Sequence, residues 1–305
     1  MALPHHLRLR DFEILLAVAA EGSMQRAAQR VHLTQPAITK IVQELEAAFG
    51  ARLFARSKRG VILTESGSAL AAQARILLND LGHARERIAA IDAGTLGSLH
   101  IGVLPVVESS ILPKCLQTLR RHAPDLHIRI EEGTRAALLG SLSRAELDCV
   151  IGRLAPGGED MQFRCETLVQ LPVHLVCAPR HKLASARRLT LAALARYPWV
   201  LPRTGAPIRT VIDSRFVMAG LAPPSPRVES TSIRLNYELI RGSDMIGVMT
   251  ADAADAYAAQ KRLHILPFEI SDALPHVGVI MRQADPSNAL RLFVDVLRTQ
   301  WVTSL

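Results

Sequence analysis

Eight side chains between Gln35 and Arg59 carry the most legible chemistry of this 305-residue chain. Gln35, Thr39, Lys40 and Gln43 bring amide, hydroxyl and ammonium groups to one stretch at helical spacing. Such groups suit the edges of nucleobases, where a glutamine meets a donor and an acceptor at once. A second set follows in Arg52, Arg56, Lys58 and Arg59, with no acidic residue anywhere from Ala47 to Thr64. Cations at that density suit a row of phosphates. A solvated basic loop on an ordinary helical bundle would show the same clustering, so spacing alone leaves both readings open.

The elements that must position these groups can be read from the apolar pattern. Leu9, Phe12, Leu15, Leu16 and Ala19 recur as one helix face over residues 7–20. Gly22-Ser23 interrupts it, and Ser23 is placed to cap a short helix, Met24 to Arg30, whose small Ala27 and Ala28 admit a neighbouring helix closely. Thr34 is an N-cap residue, and Pro36 falls in the first turn of a third helix, where a missing N–H costs nothing. Ile38, Ile41, Val42, Leu45 and Phe49 form its inward stripe; Gln35, Pro36, Thr39, Lys40 and Gln43 lie opposite, and Gly50 ends it. Three helices with a short turn between the last two describe a helix-turn-helix, whose last helix enters the major groove by its N-terminal end. Residues 51–67, "ARLFARSKRGVILTESG", predict two short strands around Ser57-Lys58-Arg59-Gly60, a wing with a basic tip.

From Gly67 to Asp92 the spacing of Leu70, Ala74, Leu77, Leu81, Ala84, Ile88 and Ile91 predicts a linker helix with a two-helix seam, and hence a dimer. "DAGTLGS" (92–98) marks a boundary. Beyond it, β-rich runs starting at His100, His127, Asp148, Val173, Trp199, Met245, His264 and His276 alternate with helical segments at 108–122, 135–143, 208–219, 233–241, 250–261 and 286–301. That alternation predicts an α/β architecture with ligands at the C-terminal ends of strands. The residues just after strands are Pro105 and Val106, Gly133 and Thr134, Gly152 and Arg153, Pro202, Arg203 and Thr204, Thr231 and Ser232, and Val248 through Thr250. Hydroxyls and helix N-termini there favour a carboxylate, phosphate or sugar-like ligand, and Arg153 or Arg203 could fork onto an acid. Each arginine could equally be a surface residue or part of a structural ion pair.

Ala27-Ala28, Thr34-Gln35-Pro36-Ala37, Leu45-Glu46, Gly50, Leu53-Phe54, Arg56 and Leu63-Thr64 with Gly67 together resemble the winged helix-turn-helix of the LysR-type transcriptional regulators. Gln43 and Glu44 depart from the basic residues common there, and Lys40 stands where Arg is frequent. "IGVLPVVESSILP", "RHAPDLHIRIEEG", "LDCVIGR", "APRHKLA", "FVMAGLAPP" and "GSDMIGVM" are similar to pieces of the family's effector domain. The resemblance implies a DNA-binding domain at 1–66, a linker helix at 67–92 and a two-lobed, periplasmic-binding-protein-like domain at 93–305. Its lobes would hold 98–169 with 269–305, and 170–268. It also implies double-stranded promoter DNA as partner, a dimer of dimers, RNA polymerase contact, and a small-molecule effector in the interlobe cleft. Within the family, the C-terminal part looks nearer to regulators of aromatic-acid and sugar catabolism.

Composition narrows the alternatives. With 36 Lys+Arg against 28 Asp+Glu the net charge is +8, which permits an anionic partner without locating it. No run of about 18 apolar residues occurs, and the N-terminal residues lack a signal-peptide pattern, so a cytoplasmic location is expected and a membrane partner is not. Cys115, Cys149, Cys165 and Cys177 are widely spaced, which predicts reduced thiols and neither zinc nor disulfides. The absence of G-x-S-x-G, P-loop, H-E-x-x-H and G-x-G-x-x-G patterns gives no support to an enzyme, a metal site or a resident cofactor. A solute-binding module and an architectural DNA protein remain as alternatives; the former leaves the helix-turn-helix unexplained, the latter the α/β part.

Overall fold

A computed structural model describes residues 7–57, 60–104, 112–154, 162–270 and 274–302. The chain forms two compact units, Met1–Gly97 with Ser143–Glu146, and Ser98–Leu142 with Leu147–Leu305.

In the first unit, α1 (Leu9–Glu21), α2 (Met24–Arg30) and α3 (Gln35–Phe49) enclose a core of Ile14, Leu15, Val18, Ala27, Ala28, Ile38, Val42, Leu45 and Leu53. Ser23 caps α2 by accepting from the Arg26 N–H. Thr34 holds the extended N-cap backbone of α3, but its hydroxyl makes no capping bond, so the helix start rests on Pro36 in its first turn. Gly50 closes α3 at φ 63°, a left-handed conformation that a side chain would disfavour. Strands β1 (Phe54–Ser57) and β2 (Gly60–Leu63) pair antiparallel as the wing.

Helix α4 (Glu65–Asp92) is capped by Thr64, whose hydroxyl accepts from the Gly67 N–H at 3.0 Å. The positions expected to form a seam divide in two. Ala74 is 2% exposed and, with Ala71 and the half-buried Leu70, completes the core beneath α1. Leu70 and Ala74 are therefore not available to a dimer seam, because the first turns of α4 roof the helix-turn-helix. Leu77, Leu81, Ala84, Ile88 and Ile91 are exposed.

The second unit holds two five-stranded mixed sheets, one per lobe. Lobe I orders as β4-β3-β5-β12-β6, with β3 (Ser98–Val103), β4 (His127–Glu132), β5 (Cys149–Arg153), β6 (Arg164–Val169) and β12 (Val277–Met281). Helices α5 (Leu112–His122), α6 (Arg135–Ser143) and α11 (Asn288–Val302) accompany it. Lobe II orders as β11-β7-β10-β8-β9, with β7 (Val173–Cys177), β8 (Trp199–Leu201), β9 (Pro226–Glu229), β10 (Ile246–Thr250) and β11 (His264–Ile265). Its helices are α7 (Leu191–Leu194), α8 (Pro207–Met218), α9 (Ile233–Arg241) and α10 (Ala251–Ala259). Trp199, Phe216 and Ile212 fill one side of this sheet, and Tyr237, Ile240 and Ala254 the other.

Strands β6 and β9 have no counterpart in the apolar runs. Each is the last strand of its sheet, with alternating or largely exposed residues, and β9 begins on a proline that an edge tolerates. The run at His264 pairs only over two residues, since Pro267 has no N–H to continue a ladder.

Candidate DNA and effector sites

The buried positions Ile38, Val42 and Leu45 fix which face of α3 turns outward: Gln35, Pro36, Lys40 and Gln43 are exposed, beside exposed Thr34 at the cap. Thr39 donates its hydroxyl to the Gln35 carbonyl at 3.0 Å, which steadies the first turn and leaves that oxygen able to accept. The Lys40 ammonium lies 3.7 Å from Glu44, an exposed i,i+4 pair worth a few tenths of a kcal/mol at most, about 0.3–0.5. Ser23 lies half-buried and is engaged in capping α2.

Arg52 and Arg56 are exposed, Arg52 on the turn after α3 and Arg56 on β1. Lys58 and Arg59 lie outside the described residues. Apolar spacing gives no hint of Glu46 as an organiser: its carboxylate accepts from the Leu53 N–H at 2.8 Å and the Phe54 N–H at 3.4 Å, and lies 3.8 Å from Arg52. One largely buried carboxylate thus locks the wing onto α3. The Val61 N–H donates to the Gly22 carbonyl at 2.9 Å, and a Cβ on Gly60 would stand 2.2 Å from that same oxygen, so the second wing strand sits against the α1–α2 turn only with glycine there.

In the second unit the parallel registers of β3, β4 and β5 bring Gly133, Thr134 and Arg153 to one edge of the lobe I sheet. The parallel registers of β8, β9 and β10 bring Pro202, Arg203, Thr204, Thr231, Ser232 and Thr250 to the C-terminal edge of the lobe II sheet. Pro105 and Val106 lie outside the described residues. Several of the expected contacts already have local roles. Thr134 and Ser232 accept from the Ala137 and Leu235 N–H groups as helix caps. A Cβ on Gly152 would meet the Leu104 side chain at 2.3 Å, which makes it a packing glycine. Pro202 is buried and Val248 half-buried, while Arg203, Thr204 and Thr231 are exposed.

Arg153 differs from the free fork that its sequence position suggested. It is 5% exposed, donates to the Pro275 carbonyl at 2.8 Å and the Leu171 carbonyl at 2.6 Å, and burial lowers its pKa to about 10. Thr250 is also 5% exposed, and its hydroxyl has no hydrogen-bond partner among the described residues. A buried hydroxyl without a partner is unfavourable, so an acceptor or donor brought to it contributes binding energy. The described residues hold no cluster of His, Cys, Asp and Glu suited to a metal ion, and no helix among them is long and apolar enough to cross a membrane.

Known proteins resemble both units. Residues 9–68 match the model of the bacterial regulatory helix-turn-helix protein, lysR family, and residues 92–302 that of the LysR substrate binding domain. The transcriptional regulator PcaQ of Agrobacterium fabrum is 30% identical over 96% of this chain and 94% of its own length. GalR of Pseudomonas putida is 28% identical, over 90% of this chain and 68% of its own. Among solved structures, a full-length single-site variant of OxyR from Pseudomonas aeruginosa is 25% identical with a TM-score of 0.68, covering 97% of this chain and 96% of that one. Full-length CbnR in complex with its target DNA has a TM-score of 0.70 at 22% identity, over 96% of this chain and all of that one. An N-terminal helix-turn-helix, a two-lobed α/β unit and both family models place the chain in the LysR family of transcriptional regulators, DNA-binding proteins with an effector-binding domain and not enzymes.

Proposed function

We propose that α3 reads operator DNA through Gln35, Thr39, Lys40 and Gln43 in the major groove, with Pro36 and Thr34 setting its entry. Arg52 and Arg56, with Lys58 and Arg59, hold phosphates, and Ser23 at the start of α2 belongs to the same DNA-binding set. The observation that carries this reading is the division of α3: Ile38, Val42 and Leu45 are buried while Gln35, Lys40 and Gln43 face outward from a fixed core. The functional division follows: 1–66 for DNA, 67–92 for dimerisation through Leu77, Leu81, Ala84, Ile88 and Ile91, and 93–305 for the effector. Dimers pair into a dimer of dimers that contacts RNA polymerase, and the protein works in the cytoplasm. The complex of CbnR with its target DNA supports the DNA partner.

The effector is a small organic acid or sugar-like molecule bound between the lobes, at the strand ends that carry Gly133, Thr134, Arg203, Thr204, Thr231 and Thr250. The Thr250 hydroxyl, without a hydrogen-bond partner among the described residues, supports that placement. A thermal-shift panel of small carboxylates, aromatic acids and sugars on the full-length protein tests it, because a ligand selective for the folded state raises the melting temperature. A hit whose shift is lost in Thr250→Val supports the site, and a hit whose shift survives that change places the ligand elsewhere.

A further inference from the structure

Arg153, the last residue of β5, is a buried cation whose terminal nitrogens meet carbonyls instead of a carboxylate. Those carbonyls belong to two different stretches. Leu171 lies in 170–172, the three residues that carry the chain from β6 in lobe I to β7 in lobe II. Pro275 lies on the return, between β11 in lobe II and β12 in lobe I. A single planar guanidinium thus ties both interlobe crossings to one strand end of lobe I. Its own backbone is held firmly: the Arg153 carbonyl accepts from Arg135 Nη1 at 2.7 Å, and the next N–H, of Leu154, donates to the His276 carbonyl at 2.9 Å.

The far side of the first crossing is gripped from lobe II. The Pro172 carbonyl, adjacent to the one Arg153 holds, accepts from the Ala251 N–H at 3.0 Å. Ala251 begins α10 directly after Thr250. Leu171-Pro172 is therefore held by Arg153 on one side and by the backbone beside Thr250 on the other. We propose that Arg153 is a positioning residue that clamps the two interlobe crossings and sets the resting separation of the lobes. Its consequence for regulation rests on the effector reading above: a ligand engaging Thr250 displaces the same crossing that Arg153 restrains. Lysine cannot replace it, because one ammonium lacks the coplanar pair of donors that spans two carbonyls.

The test is the interlobe distance in the full-length protein, read by pulsed electron spin resonance without any ligand, so that it fails or succeeds apart from the effector reading. Spin labels go on Gln117→Cys in α5 and Ser214→Cys in α8, both exposed, in a Cys165→Ser background diluted with unlabelled chain. Arg209→Gln is the control. Arg209 is also a buried arginine, but its partners Asp213, Glu229 and the Pro202 carbonyl all lie within lobe II. Arg153→Lys and Arg153→Gln are expected to shift and broaden the interlobe distance, while Arg209→Gln leaves it unchanged. Should Arg153→Gln fail to fold by circular dichroism, Arg153→Lys decides. An unchanged distance in the folded Arg153 variants, or equal broadening in Arg209→Gln, overturns the clamp.

Discussion

Gln35 on the one hand and Arg52 and Arg56 on the other are all polar and exposed, yet they should behave differently when removed. A glutamine that reads a base edge carries sequence information, so Gln35→Ala should cost about 1–3 kcal/mol at the operator and little on unrelated DNA. Arg52→Ala and Arg56→Ala should weaken binding to every sequence alike and reduce the slope of log affinity against log salt by about 0.9 for each phosphate no longer neutralised. Titration of labelled duplexes at several salt concentrations separates the two patterns. The cysteines make a second prediction. Burial pushes the Cys115 and Cys177 thiols from 9.0 up to about 12, and burial, with the Asp148 charge and Cys115 adding to it, raises Cys149 as well. These thiols stay protonated in the fold while the unfolded chain ionises from about pH 9, so their contribution is complete below pH 9 and is lost progressively toward pH 12. Denaturation midpoints should fall over that interval, less steeply in Cys115→Ala, and a thiol reagent at about pH 8 should label Cys165 alone, the exposed one.

The helix-turn-helix was readable because each of its parts has a local cause: Ser23 before α2, Pro36 inside α3, Gly50 after it and an apolar stripe between. The wing's attachment was not, since Glu46 acts on the Leu53 and Phe54 N–H groups across a turn that spacing does not describe. The same holds for the edge strands β6 and β9, too short and too exposed to form an apolar run, and for Arg153, whose carbonyl partners are 18 and 122 residues away in sequence. In α4 the seven-residue spacing runs through two different environments. Its first turns complete a core, whereas Leu81 and Ile88 remain 42% and 61% exposed. Leu81→Glu with Ile88→Glu should therefore shift the protein toward monomer in sedimentation while leaving its helix content intact. If the dimer survives that double change, the seam is not where two chains meet.

At the scale of the whole molecule, the helix-turn-helix is joined in sequence through α4 to two lobes whose crossings meet at Arg153. A ligand can control such a protein only through unequal affinity for its arrangements, typically about 1–3 kcal/mol of coupling. A two-fold dimer reads two half-sites, so the operator should show matching halves spaced by about one helical turn or a multiple of it. Footprinting the full-length protein on DNA enriched from a random pool, with and without a compound that raises its melting temperature, examines helix-turn-helix and lobes together. A two-fold protected site whose pattern changes when the compound saturates the protein is the expected result. No enriched site, or a footprint unchanged at saturation, would contradict an effector-responsive DNA-binding regulator.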